Sequence, residues 1–176
     1  MAQNELSQEE LNKTYEDIEQ MLHIMEEIYF KNLEYFKSTD KELYKVIKKE
    51  SKKISKNKSK EKFAVELNKK GSLDIINRKD GKYFYNTDPF LRGDNIAKQL
   101  VYKTIAFKGI GLGTHISSAI KFNKPKKVLI CEENIQIFRC AMYITDFTEL
   151  SNLTKLKVNL GETCKDKKYD KVFKIK

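Results

Sequence analysis

Gly109, Gly111 and Gly113 follow directly on a short apolar run, residues 104–107, and lead into Thr114 and His115. Glycine at such positions lets the backbone turn sharply after a strand. It also leaves the amides clear to approach a ligand at a helix N-terminus, where the dipole favours anions. The chemistry on offer is a cradle for phosphate or carboxylate. A second apolar run, residues 128–131, ends on Glu132 and Glu133, and an acid at that place can accept hydrogen bonds from a ribose, as in dinucleotide-binding and methyltransferase-type sites. Gly109, Gly111, Gly113, Thr114 and Glu132 are therefore the candidate nucleotide-binding residues. Two departures stand against them. The third glycine of a dinucleotide GxGxxG would fall on Thr114, and Phe107 and Lys108 occupy the place where a methyltransferase carries an acid. The competing reading, a crossover whose glycines serve only tight packing, stays open.

Other reactive side chains are few. His115 could touch a phosphate or act as a base, although a single histidine at a helix start more often caps or packs. Asp146, beside Phe147, Thr148 and Glu149, reads as the cap of a short turn. Arg92-Gly93-Asp94 spells an adhesion tripeptide by chance. Cys131, Cys140 and Cys164 show no paired spacing with the histidines, which are only His23 and His115, so reduced thiols, no disulfide framework and no metal site are expected. No nucleophile elbow, Ser, His and Asp arrangement or paired carboxylates stand out, and no catalytic residue is assigned.

The elements that must hold the glycine turn follow from periodicity. Residues 104–107, 128–131 and 156–160 read as strands, with helices over 115–122 and 135–144 between them. Strands alternating with helices of this length indicate parallel crossover units of the Rossmann kind. Upstream, residues 63–67, 73–76 and 83–85 alternate apolar and polar, with turns at 68–71 and at Asp80-Gly81, where the Asp-Gly pair suits a type I′ hairpin. This is a small antiparallel meander. After Asp88-Pro89, a helix-start pair, residues 96–101 are expected to be helical. The chain begins with an amphipathic helix over 8–36, its stripe formed by Leu11, Tyr15, Ile18, Leu22, Met25, Ile28 with Tyr29, Leu33 and Phe36. Ser7 with Glu10 forms a capping box at its start. A second box, Thr39 with Glu42, opens a shorter helix carrying Leu43, Val46 and Ile47. Residues 48–62, mostly Lys, Ser, Asn and Glu, read as a frayed helix end and linker. A strand or short helix over 169–175 ends the chain. The expected organisation is a helical part (1–47), the lysine-rich linker (48–62), and the meander with the Rossmann-like βαβαβ unit (63–176), an α/β fold with an α+β start.

The net charge of +10 invites a nucleic-acid partner, but the cations are nearly all lysine, with Arg78, Arg92 and Arg139 the sole guanidinium groups. Base and phosphate readers lean on bidentate arginine, so no specific nucleic acid is expected. The first ten residues are polar and acidic, unlike a signal peptide, and no apolar run approaches the ~20 residues of a membrane span. A cytoplasmic protein without a membrane partner is expected.

The strings IAFKGIGLGTHISSAI, KKVLICEENIQIF and YITDFTEL, followed by a strand closing in GE, together resemble the motility accessory factors, the Maf family of flagellin glycosyltransferases. YFYNTDPFLRGDNIAKQ is similar to the family's upstream segment, in which an aromatic strand and an Asp-Pro precede a helix ending in Gln. The resemblance implies full-length proteins that transfer nonulosonic acids, such as pseudaminic or legionaminic acid, from CMP-activated donors to Ser or Thr of flagellin in the cytoplasm. It places the transferase activity in a central domain downstream of the matched segment. The chain is then expected to be the N-terminal domain or a truncated part of such a protein. Its partners would be flagellin or the remainder of the longer glycosyltransferase. It would be structural or substrate-positioning rather than catalytic alone, with a CMP-sugar or other nucleotide as the candidate ligand. The alternative is a small Rossmann-like protein that binds a nucleotide or S-adenosylmethionine.

Overall fold

Among the described residues, seven strands and six α-helices make two sheets and one helical layer. The computed structural model describes residues 8–161 and 169–174. Helices α1 (Gln8–Thr39) and α2 (Lys41–Lys56) lead into a meander of β1 (Phe63–Leu67), β2 (Leu73–Asn77) and β3 (Lys82–Tyr83). Then come α3 (Pro89–Ala97), β4 (Thr104–Lys108), α4 (Thr114–Asn123), β5 (Lys127–Glu132), α5 (Ile135–Met142), α6 (Phe147–Leu153), β6 (Lys155–Leu160) and β7 (Lys171–Lys174). The meander is antiparallel in the order β1-β2-β3, whereas the second sheet is wholly parallel in the order β6-β5-β4-β7. The fold is α/β.

Sequence order 3-2-1-4 across the parallel sheet is one half of a doubly wound fold, and it follows from where the apolar residues fall. Ile105, Phe107, Val128 and Ile130 occupy one face and pack with residues of all six helices in the main core. Ala106, Leu129 and Cys131 alternate onto the other face beside Tyr169 and Val172. A third cluster joins the meander to the rest: Ile75 packs with Leu112 of the glycine turn and Cys140 of α5.

Three polar side chains tie the layers together. Asn32, fully buried on α1, donates to the carbonyls of Met142 (2.9 Å) and Thr145 (2.7 Å) and accepts from the Phe147 amide (2.8 Å). Gln136 accepts from the Lys62 amide (2.6 Å) and donates to Glu50 (2.6 Å) and the Lys60 carbonyl (2.9 Å), joining α5 to α2 and β1. Glu61, also buried, pairs with Arg78 (3.3 Å) and Arg139 (3.2 Å). Two of the three arginines thus serve one buried carboxylate.

Several local expectations are corrected. The segment read as linker is helical through Lys56, because Leu43, Ile47 and Ile54 share one buried face and anchor the lysine run. Asp40, not Thr39, caps α2, accepting from the Leu43 amide at 3.0 Å, while the Thr39 hydroxyl turns back to the Tyr35 carbonyl. The hairpin at Asp80-Gly81 is not type I′: of the two, Gly81 alone has a positive φ. The helix expected over 96–101 starts at Pro89 and ends at Ala97, with Asp88 as its cap. Asp146 is a cap as expected, but what it caps, through the Glu149 amide (3.0 Å), is a short helix, α6, rather than a turn. The apolar stripe of α1 is packed only in its second half, since Tyr15 and Leu22 are exposed while Tyr29, Leu33 and Phe36 are buried. Cys131 is disulfide-bonded, against the expectation of reduced thiols, and Cys140 is free and buried. The box of Ser7 with Glu10 and the third cysteine, Cys164, lie outside the described residues. Among the described residues no helix is long and apolar enough to cross a membrane.

Candidate functional site

The glycine turn joins the C-terminal end of β4 to α4. Gly109, Gly111 and Gly113 have φ of 88°, 54° and 79°, a region open to glycine at little cost. Two of the three are also hemmed in: a Cβ on Gly111 would collide with the Tyr85 hydroxyl, and one on Gly113 with Thr145 Oγ1. The residues between the glycines, Ile110 and Leu112, are fully buried, one in the main core and the other in the meander cluster. Their side chains draw the turn into the protein.

Most of its amides are engaged internally. Gly109 donates to the Cys131 carbonyl (2.8 Å), Gly113 to the Ile110 carbonyl (2.8 Å), and Leu112 to the Tyr85 hydroxyl (3.0 Å). Ile110 donates to Glu132 Oε2 at 2.9 Å, and Glu132 Oε1 accepts from the Asn134 amide at 2.8 Å. Glu132 is buried, and desolvation pushes its carboxyl above the usual range against the pull of these amides. Among the candidate residues, then, Glu132 and Gly109 are brought together by bonds of the fold. The Thr114 hydroxyl is likewise held, donating to the Pro89 carbonyl at 2.8 Å. Among the described residues the amides of Gly111, Thr114 and His115 carry no hydrogen bond.

Beside this turn, outside the C-terminal ends of β4 and β7, lies a cavity of about 200 Å³. Tyr85, Arg92, Gly93, Thr114, His115 and Lys174 are among its lining residues. It sits where the strand order reverses, the place at which open α/β sheets receive ligands. Helix α3 forms its other wall and crosses α4 so closely that a Cβ on Gly93 would stand 2.9 Å from the His115 amide nitrogen. Asp94 secures the crossing by accepting from Ser118 (2.6 Å), as does Asn123 by donating to the Ala97 carbonyl (2.7 Å).

His115 is 3% exposed, its ring edge-on to Phe107 at 5.5 Å, and its Nε2 has no hydrogen-bond partner. Burial, and secondarily the charge of Arg92, lowers its pKa to about 3, so the ring is neutral at physiological pH. Cys140 is no nucleophile, because burial pushes its thiol up to about 12. No group of three or more metal-binding side chains occurs among the described residues.

Sequence reasoning missed Tyr85, Arg92 and Lys174. Arg92 had been set aside as part of a chance tripeptide, although it is one of only three arginines and the only one not paired with Glu61. It lies over the Tyr85 ring at 5.6 Å.

Comparison with known proteins bears on this region. Residues 91–159, from α3 through β6, match the family model of the glycosyltransferase Maf N-terminal domain. No curated protein sequence is matched. Among solved structures, the Maf glycosyltransferase from Magnetospirillum magneticum AMB-1 is similar with a TM-score of 0.57 at 14% identity, over 76% of this chain and 27% of that one. The likeness is one of fold, and the chain spans a minor part of the length of that protein. The segment that holds the glycine turn, Glu132 and the α3 crossing is thus similar to the N-terminal domain of Maf glycosyltransferases.

Proposed function

We propose that this chain is the N-terminal domain of a Maf-type flagellin glycosyltransferase and works by positioning, not by transferring sugar itself. In such an enzyme a nonulosonic acid would pass from a CMP-activated donor to Ser or Thr of flagellin in the cytoplasm. This domain would hold the flagellin acceptor or the catalytic domain in register. The observation that carries the reading is the engagement of Glu132. An acid that clamps Ile110 and Asn134 inside the fold is not presented to a ribose. The burial of Ile110 and Leu112 points the same way, since it makes the glycine turn a piece of core.

The test uses the 176-residue chain with unglycosylated flagellin and a CMP-activated nonulosonic acid. Intact-mass spectrometry should show flagellin unchanged, while immobilised flagellin retains the chain. Sugar transfer by the chain alone overturns the proposal, and passage through the flagellin column without retention overturns its acceptor-holding arm.

A second reading, a nucleotide- or S-adenosylmethionine-binding protein, draws on the strand order β6-β5-β4-β7 and the unbonded amides of Gly111 and Thr114. It requires that millimolar S-adenosylmethionine or CMP-sugar raise the melting temperature through linkage. An unchanged melting temperature removes it.

A further inference from the structure

The end of the parallel sheet opposite the glycine turn has a composition that neither the core nor the helix caps demand. All four strands run the same way, so their starts lie side by side: Lys155 of β6, Lys127 of β5, Thr104 of β4 and Lys171 of β7. The loops leading into them are held in the same row. Lys126 donates its amide to the Lys103 carbonyl (2.8 Å), and Lys155 donates its own to the Lys126 carbonyl (3.3 Å). Asn123 donates to the Leu100 carbonyl (3.1 Å) and the Thr154 hydroxyl to the Pro125 carbonyl (2.6 Å), which gathers the ends of α3, α4 and α6 there as well.

Lys103, Lys126 and Lys155 are exposed in this row, and among the described residues none of them pairs with a carboxylate. A merely solvated lysine face looks different. On α1 and α2, Lys37, Lys45 and Lys53 each pair with an acid three residues earlier, Glu34, Glu42 and Glu50. At the sheet end, Glu149 pairs with Lys121, and the Asp170 carboxylate accepts from the Thr104 amide. Cations near helix C-termini complement the dipole, which accounts for Lys98, Lys121 and Lys124. It does not account for the three lysines at strand starts. Large apolar side chains are exposed among them: Val101 is 73% exposed, Phe122 62% and Leu153 41%.

Unpaired cations set around exposed apolar side chains match an anionic bilayer, whose headgroups take the charges and whose acyl boundary takes the apolar groups. A nucleic acid fits less well. Arg78 and Arg139 are committed to Glu61, Arg92 lines the cavity at the other end of the sheet, and Val101 and Leu153 have no ring on which a base could stack. We propose that this end of the sheet is a peripheral contact for an anionic lipid surface, with Lys103, Lys126 and Lys155 against the headgroups and Val101, Phe122 and Leu153 in the interface. The expectation of no membrane partner rested on the length of apolar runs, which a peripheral contact does not need. The contact is independent of flagellin binding.

The experiment is co-sedimentation of the 176-residue chain with vesicles of phosphatidylcholine alone, or of phosphatidylcholine and phosphatidylglycerol in equal parts, at about 0.1 M salt. Saturable binding to the anionic vesicles alone, weakened by added salt, is expected. A lysine near an anionic surface contributes about fivefold, so Lys103→Gln combined with Lys126→Gln and Lys155→Gln should weaken binding about a hundredfold. Lys41→Gln combined with Lys45→Gln and Lys49→Gln makes the same change of net charge at exposed positions of α2, and should cost less than about fivefold. The chain has no tryptophan, so Val101→Trp supplies a single fluorophore, whose emission should move to the blue on anionic vesicles. Tyr15→Trp, exposed on α1, should show no such movement. An absence of binding to anionic vesicles, equal weakening by the two triple variants, or unmoved emission from Val101→Trp overturns the proposal. Retention on single-stranded DNA without vesicle binding also overturns it, in favour of a nucleic-acid surface.

Discussion

Replacing Glu132 by glutamine separates a structural acid from a ligand-binding one. The carboxylate accepts from the Ile110 amide at 2.9 Å and the Asn134 amide at 2.8 Å, one bond on each oxygen. Glutamine keeps one acceptor and sets an NH₂ donor against the other amide, so one bond is lost and a buried N–H is left facing a donor. Hydrogen bonds to charged groups are worth about 1.5–3 kcal/mol each. Against that, the substitution removes a carboxylate whose burial already raises its pKa, which returns part of the loss. The sign agrees. A folded pKa above the unfolded one gives a margin that is full below the unfolded value and declines as pH rises through the folded one. At pH 7 the net cost should be near the lower end, about 2 kcal/mol. For a domain of this size that is a fall in melting temperature of roughly 4–8 °C. The assay is thermal and urea unfolding of Glu132→Gln against the parent chain. If Glu132 instead waits in the open for a ribose, the variant unfolds with the parent's midpoint, and that result would refute the clamp.

Other perturbations probe the same frame. Tyr85→Phe should cost about 1–2 kcal/mol in urea unfolding, because the Leu112 amide loses its acceptor. Gly111→Ala should cost more, through the positive φ and the collision with the Tyr85 hydroxyl, and the double variant should recover part of the loss in a double-mutant cycle. Additive costs would mean that the hydroxyl does not occupy that space. Asn32→Ala removes three hydrogen bonds holding α1 to the residues around α6, and a loss of about 3–5 kcal/mol is expected by urea unfolding; a loss under 1 kcal/mol would contradict the clamp. His115 predicts an acid-sensitive domain. Its folded pKa of about 3 lies below the unfolded 6.5, so its contribution is complete above pH 6.5 and is lost as pH falls toward 3. At about two units below 6.5 the loss is roughly 3 kcal/mol. The difference in urea midpoint between pH 7.5 and 4.5 should shrink in His115→Phe, and an equal acid loss in that variant would show that His115 is not the group concerned.

The parts of the fold that could be read from the residues are those governed by local chemistry. The alternation of apolar runs with glycine and helical spacing placed β4, α4, β5, α5 and β6, and Asp88-Pro89 marked a helix start. What stayed hidden depends on contacts between residues far apart in the chain. Nothing near Lys171–Lys174 says that this strand will lie beside β4 and so create the switch point. Tyr85 reads as a strand residue until the glycine turn is seen beneath its hydroxyl, and Gln136 shows no mark of its contacts with α2 and β1. The lysine-rich stretch after Ile47 failed for a different reason. Its single apolar residue, Ile54, lies seven positions beyond Ile47, two helical turns on, and that anchor suffices to keep the segment helical. The glycine turn itself contained its answer: in GIGLG the intervening residues are both large and apolar, which suits a core-anchored turn better than an open phosphate cradle.

A calorimetric titration of the 176-residue chain with unglycosylated flagellin tests the positioning role most directly. Saturable binding, retained in Arg92→Gln and unaffected by CMP-sugar, is the predicted result. The absence of any binding heat for flagellin, together with saturable heat for CMP-sugar alone, would contradict it.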